Sequence, residues 1–260
     1  MAEPQFTILA VGATGSIGRH VVEEALRGGH GVRALVRDAS HTRGFPHTAE
    51  VVVGDLTRAE TLAQAVAGIH AVVFTHGSNG NPPGAEAVDY GAVRNVLAAL
   101  GGREVRVALM TTIGVTDREG AHDWKRRGER LVRASGLAYT IVRPGWFDHN
   151  APDQHRLLLL QGDRRQSGTP RDGVVARRQI AQVLVRSLRS EAALCKTFEL
   201  VAETGPEPDD LDALFAPLDA DPEGALDGAH DAANMPLAAE PPRVREELKG
   251  VATRSAVADT

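Results

Sequence analysis

The sequence predicts an α/β fold built on a doubly wound parallel sheet, from three observations. Apolar runs of strand length alternate with helix-patterned segments along most of the chain. The runs are apolar throughout rather than at every second residue, as in strands covered on both faces. The first run is followed at once by a glycine-rich turn, GATGSIG at 12–18, which opens a helix. Right-handed crossovers convert this alternation into the open doubly wound sheet known as the Rossmann fold.

The elements follow in order. FTILAV (6–11) is the first strand, and Ser16 caps a helix with Ile17, Val21, Ala25 and Leu26 inward. GVRALVR (31–37) and EVVVG (50–54) are the second and third strands. Thr57 and Glu60 fit a capping box for a helix burying Leu62, Ala65 and Val66, and HAVVFT (70–75) is the fourth strand. The loop HGSNGNPPG (76–84) is too rich in Gly, Pro and Asn for regular structure. A helix over about 86–100, strand VRVALMT (105–111), a helix over about 122–134 and strand AYTIVRP (138–144) continue the alternation. Residues 150–176 read as irregular or as short elements. A helix over about 177–188, a strand KTFELV (196–201) and a short helix over about 209–218 complete one domain, 1–218, with substrate-side elements within about 145–177 and 203–218. Residues 219–260 are rich in Ala, Asp, Glu and Pro and read as a tail that is disordered or lies along the surface.

Composition narrows the function classes. A length of 260 residues is ample for a sizeable core, and 42% hydrophobic with 24% charged residues is that of an ordinary soluble protein. The net charge of −5 and the scattered pairs Arg126-Arg127, Arg164-Arg165 and Arg177-Arg178, read as solvated helix faces, argue against nucleic acid as a partner. The run LLLL at 157–160 is far short of a membrane span, so the expectation is a cytoplasmic protein with no membrane partner. The single cysteine, Cys195, excludes an internal disulfide and reads as packing. The ten histidines form no metal-ligand pattern, and no G-x-S-x-G elbow is present.

The glycine turn points to a dinucleotide. Gly12 permits the tight bend, Gly15 lets backbone approach a phosphate, and Gly18 lets helix pack on strand. Backbone N–H groups and the helix dipole at Ser16-Ile17-Gly18 favour an anion, and Thr14 in the same turn counts with them as cofactor-binding. Arg37 stands at the tip of the second strand with Asp38 behind it and Arg33 on the same strand. A guanidinium there accepts a 2′-phosphate, which favours NADP(H); were Asp38 to take the ribose, the cofactor would be NAD(H). Asp55 and Leu56 after the third strand fall near an adenine, and Thr75, His76 and Gly77 after the fourth face the middle of the cofactor.

GATGSIG, ALVRD, VVVGDLT, MTTIGV and WKRRGERLVRASGLAYTIVRPG together resemble the atypical short-chain dehydrogenase/reductase family, closest to its NAD(P)H-binding, NmrA-like branch, over about residues 5–202. The resemblance implies that Thr112 contacts the substrate carbonyl, that Lys125 holds the nicotinamide ribose, and that Pro144 at the end of the sixth strand borders the cofactor. The family's tyrosine, four residues before the lysine, is replaced by Ala121. An alanine methyl transfers no proton. Substitute donors are His76, His122 with Asp123, and above all His149, which with Asp148 and Asn150 follows the sixth strand where the family places substrate contacts. Tyr90 could reach the site, whereas Tyr139 reads as core. Trp146, Phe147 and 157–160 would wall the substrate. Lys125 could instead pair with Glu129 at i, i+4.

Two readings follow: an NADP(H)-dependent oxidoreductase passing hydride to a small carbonyl or quinone-like substrate, or a non-catalytic NADP(H)-binding redox sensor. A nucleotide-sugar epimerase or dehydratase relative is a further alternative. The sequence leaves monomer and homodimer open.

Overall fold

A computed structural model describes residues 6–38, 40, 44–78, 84–118 and 120–258, with side chains up to 252. Six parallel strands form its centre: β1 (Thr7–Val11), β2 (Gly31–Val36), β3 (Glu50–Val53), β4 (Ala71–Phe74), β5 (Arg106–Met110) and β6 (Tyr139–Pro144). β7 (Trp146–Phe147), β8 (Arg156–Leu160), β9 (Val174–Val175) and β10 (Lys196–Glu203) extend it, giving the order β3-β2-β1-β4-β5-β6-β10-β9-β7 with β8 antiparallel on β10. The order reverses between β1 and β4. A doubly wound sheet has its crevice there, outside the carboxyl ends of the strands.

Two apolar layers cover the sheet. On one face α1 (Gly18–Arg27) buries Val21, Val22 and Ala25 beside Ile180, Ala181, Val183 and Leu184 of a later helix, α4 (Arg177–Ser187). On the other, α2 (Gly91–Leu100), entered through a π-helical turn Ala85–Tyr90, packs with α3 (Ala121–Ala134) and with α6 (Pro242–Ala258). The short α5 (Asp212–Phe215) lies on the first face and buries Phe215. Leu62, Ala65 and Val66 are buried as their spacing predicts, but the segment makes only a 3₁₀ turn, Ala59–Leu62. The expected capping box does not form, because Thr57 bonds to Asp55 and Glu60 pairs with Arg58.

Two readings are corrected and one is filled in. The 150–176 segment holds the short strands β8 and β9, as its pattern suggests, and its leucines are part of the sheet: Leu157 is buried in the first core, where it also borders a cavity, and Leu159 packs against that core. The Arg126-Arg127 pair is not a solvated face. Arg126, Arg127, Arg130 and Arg133 are all buried along α3. Their partners come from the segment expected to be disordered or to lie along the surface. Asp227 takes Arg126 (3.0 Å) and Arg130 (2.7 Å), Glu240 takes Arg127 (2.6 Å), and Asp221 takes Arg133 (3.0 Å). Val244 and Leu248 of α6 join the second core. The acidic composition that read as disorder is the set of counter-charges for a buried basic helix.

Candidate cofactor site

The turn after β1 is shaped by close approach. Gly12 has φ +84°, and a Cβ there would sit 2.7 Å from the backbone nitrogen of His76. A Cβ at Gly18 would collide with the Gly12 carbonyl, so the third glycine seats the helix on the turn. Gly15 donates its N–H to that carbonyl (2.9 Å). Thr14, Gly15 and Ser16 are exposed, while Ile17 and Gly18 are buried. Ser16 does not cap α1: Ile17 is the N-cap, without a side-chain bond, and the first turn holds no acid. An uncapped helix start beside an exposed glycine turn fits a dinucleotide pyrophosphate.

On the adenosine side, Arg37 is exposed at the carboxyl end of β2. Arg33 faces elsewhere, bonding Glu50 (2.8 Å) and the carbonyls of Gln64, Ala65 and Ala67. Asp38 accepts from the Ser40 N–H (2.8 Å). Asp55 is held below the usual carboxylate range by bonds from the Thr57 N–H and hydroxyl, with smaller contributions from Arg58 and Arg37. The Leu56 carbonyl accepts from Asn95 (2.7 Å), which fixes the end of β3 on α2.

On the other side, the Thr75 N–H and hydroxyl both donate to the Val11 carbonyl (2.9 and 3.1 Å), locking β4 to β1. His76 is buried. Burial first, then the Lys125 charge, lowers its pKa to about 4, and its Nδ1 has no partner among the described residues. Lys125 reaches from α3 to this loop. Its Nζ lies 3.6 Å from the Cβ position of Gly77 and 2.8 Å from Oδ1 of buried Asp89, which also accepts the Ser78 N–H (3.0 Å). The alternative pairing with Glu129 is not made. Glu129 is taken by Arg143 (2.7 Å), Arg133 and the Thr111 hydroxyl, and against desolvation these hold it ionised, at about 2. Thr112 is half-buried and its hydroxyl donates to the Ile113 carbonyl (3.2 Å). Pro144 is buried, its carbonyl accepting from Ile113 (3.1 Å).

The substrate-side residues separate. Trp146 is exposed, with His149 edge-on at 5.9 Å, and Asn150 bonds only its neighbour Ala151 (3.5 Å); no contact among the described residues joins His149 to Thr112 or Lys125. Phe147 is half-buried under the Arg177 guanidinium (5.5 Å). Tyr90 does not reach the cleft. It is fully buried, its hydroxyl on Glu247 of α6 and its ring against Trp124, because the π turn before α2 rotates it into the second core. Tyr139 is core, donating to Asp221 (2.9 Å). Residues 79–83 of the 76–84 loop lie outside the described residues. A cavity of about 330 Å³ lies between α4, β8 and the 207–211 segment, lined by Glu24, His155, Leu157, Gln182, Arg186 and Glu207 among others.

Sequence reasoning missed Asp89, Asp163 and Arg177. Asp163 accepts the N–H groups of Gly114 (2.6 Å) and Thr116 (2.7 Å) and so shapes the loop after β5. Asp89 was signalled by being an acid on the inward side of an apolar helix. Asp163, at φ +48°, lies in the stretch where the pattern was weakest, and Arg177 reads with Arg178 as a solvated helix face.

The NAD(P)H-binding family model matches residues 12–191. Among curated relatives, the pea chloroplast protein TIC 62 (Pisum sativum) is 26% identical over 234 residues, 76% of this chain and 43% of its own length. The chain spans under half the length of this relative and of its rice and Arabidopsis counterparts. Among solved structures, the oxidoreductase ylbE of Lactococcus lactis aligns with TM-score 0.64 at 16% identity, covering 80% of this chain and 94% of that one. ChuY, an anaerobillin reductase of Escherichia coli O157:H7, aligns with TM-score 0.60 at 21% identity, covering 78% and 98%. With the glycine turn, the strand order and a family match over most of the sheet, the chain belongs to the NAD(P)H-binding family within the atypical short-chain dehydrogenases/reductases.

Proposed function

We propose that the chain is an NADP(H)-dependent oxidoreductase acting on a small carbonyl or quinone-like substrate. The observation that carries the NADP preference is Arg37, exposed at the carboxyl end of β2 beside Asp55, while Arg33 is spent on Glu50 and the carbonyls after the 3₁₀ turn. A 2′-phosphate at the tip of that strand is matched by a planar guanidinium. The turn 12–18 holds the pyrophosphate, Thr75 to Gly77 line the middle of the cleft, and Lys125 presents a cation there. NADPH, when bound, supplies the hydride. Lys125 and Thr112 orient the acceptor end, and a donor outside the family's tyrosine position supplies the proton, because residue 121 is alanine. The reductase among the structural neighbours supports this reading by fold alone.

The test is a fluorescence titration with NADPH and NADH on the wild type and Arg37→Ala. Tighter NADPH binding, lost in the variant while NADH binding is unchanged, is the expected result; equal affinity for both cofactors in the wild type overturns the NADP assignment. Following NADPH absorbance with a panel of quinones and carbonyls then separates turnover from binding.

A second reading, an NADP(H) sensor without turnover, is favoured by one observation: Lys125 is tied to the buried carboxylate of Asp89. Saturable NADPH binding with no oxidation by any acceptor in the panel would support it.

A further inference from the structure

Arg177 sits where its own helix does not want it. It is the first residue of α4, next to Arg178, at the positive end of a helix with no acid in its first turn. Cations are disfavoured there. Its placement has another explanation in the neighbouring glycine turn: Arg177 Nε donates to the Ser16 hydroxyl (3.0 Å), 161 residues away in sequence. Nη1 of the guanidinium is held by the Asp148 carboxylate, which also accepts the Arg177 backbone N–H (3.0 Å), and Phe147 lies beneath it. Asp148 has φ +53°, a left-handed conformation uncommon for a non-glycine residue, which places its carboxylate at this junction. The side chain of Arg177 is 32% exposed, so it is reachable from solvent.

We propose that Arg177 is a pyrophosphate clamp: its guanidinium, positioned by Ser16 and Asp148, takes the dinucleotide pyrophosphate as acceptor in place of the Asp148 carboxylate. The proposal rests on the reading of 12–18 as the dinucleotide turn. Ser16 belongs to the exposed part of that turn, beside the uncapped start of α1, so the guanidinium is already in the region where the diphosphate charge is expected. A planar guanidinium binds phosphate oxygens in pairs. Asp148 is then a competitor for the same cation. The clamp would tie the substrate-side segment, β7 and α4, to the state of the cofactor turn.

Competition gives the experiment a sign. NADPH and NADH are titrated by nicotinamide fluorescence against the wild type, Arg177→Gln, Arg177→Lys and Asp148→Asn, with circular dichroism confirming folding. Pyrophosphate is common to both cofactors, so Arg177→Gln weakens both by the same factor, about tenfold. Arg177→Lys, which keeps the charge without the fork, falls between. Asp148→Asn, which retains an oxygen for the Arg177 N–H but releases the guanidinium, tightens both. Three results overturn the clamp: affinities in Arg177→Gln within twofold of wild type, a loss confined to NADPH, or weakening in Asp148→Asn that parallels Arg177→Gln, as a purely structural ion pair gives. If the wild type binds neither cofactor, the dinucleotide reading itself fails and the clamp goes with it.

Discussion

Gly18 was legible in the sequence because its demand is steric and local: a Cβ there meets the Gly12 carbonyl of the same turn. Gly18→Ala should cost at least about 1–3 kcal/mol and abolish cofactor binding, read by urea unfolding and NADPH titration. The partner of Lys125 was not legible, since Asp89 is 36 residues away and only the fold brings the two together. Two buried groups tilt stability with pH in opposite directions. His76 falls from 6.5 unfolded to about 4 folded. The unfolded state therefore takes up a proton the native state refuses, and stability drops as pH falls from about 6.5 to 4. Glu199 is pushed up to about 8, chiefly by burial, with Arg143 opposing and Asp163 assisting. There the native state keeps a proton that the unfolded chain releases, and this contribution is lost as pH rises from about 4.5 to 8. Unfolding free energies measured across that range should show Glu199→Gln removing the alkaline decline; a decline unchanged in the variant would refute the assignment.

The elements divide by what their pattern depends on. The central strands and α1 were readable because burial on both faces, or on one helical stripe, writes itself into apolar spacing. α3 was misread on its long face because its inward positions are arginines, and a charged stripe looks solvated until its counter-charges are located. β8 was read only as an irregular or short element because four leucines fit a core strand and a pocket wall equally well. At the centre of this layer, Arg143 of β6 donates to Glu129 (3.0 and 2.7 Å) and to Asp231 (2.7 Å twice) with no exposure of its own. Arg143→Met removes the guanidinium that pairs with Asp231 and leaves Glu129 to Arg133 and Thr111, beside an uncharged side chain. It should cost about 3–5 kcal/mol, seen as a lower denaturation midpoint. Arg143→Lys should recover only part of this, because one ammonium cannot fork to both acids.

For the whole molecule, the doubly wound order and the crevice at its reversal followed from the alternation of elements, while the place of residues 219–252 did not, since no periodicity announces a segment whose main contribution is acid against buried arginine. Removing everything after 218 should leave Arg126, Arg130, Arg133 and Arg143 short of partners and uncover the face that Val244 and Leu248 close. The expected result is insoluble or non-cooperatively unfolding protein, and a truncated chain melting within a few degrees of full length would contradict it. The same contacts set a timetable for synthesis. Arg126 and Asp227 are 101 residues apart, and Arg127 and Glu240 are 113 apart. At about 5–20 residues per second a ribosome needs roughly 5–20 s to make the acids after the arginines. The nascent sheet must therefore wait, half-finished, until residues 221–240 have been made, and a polypeptide released before them exposes unpaired arginines that quality-control proteases read as unfolded.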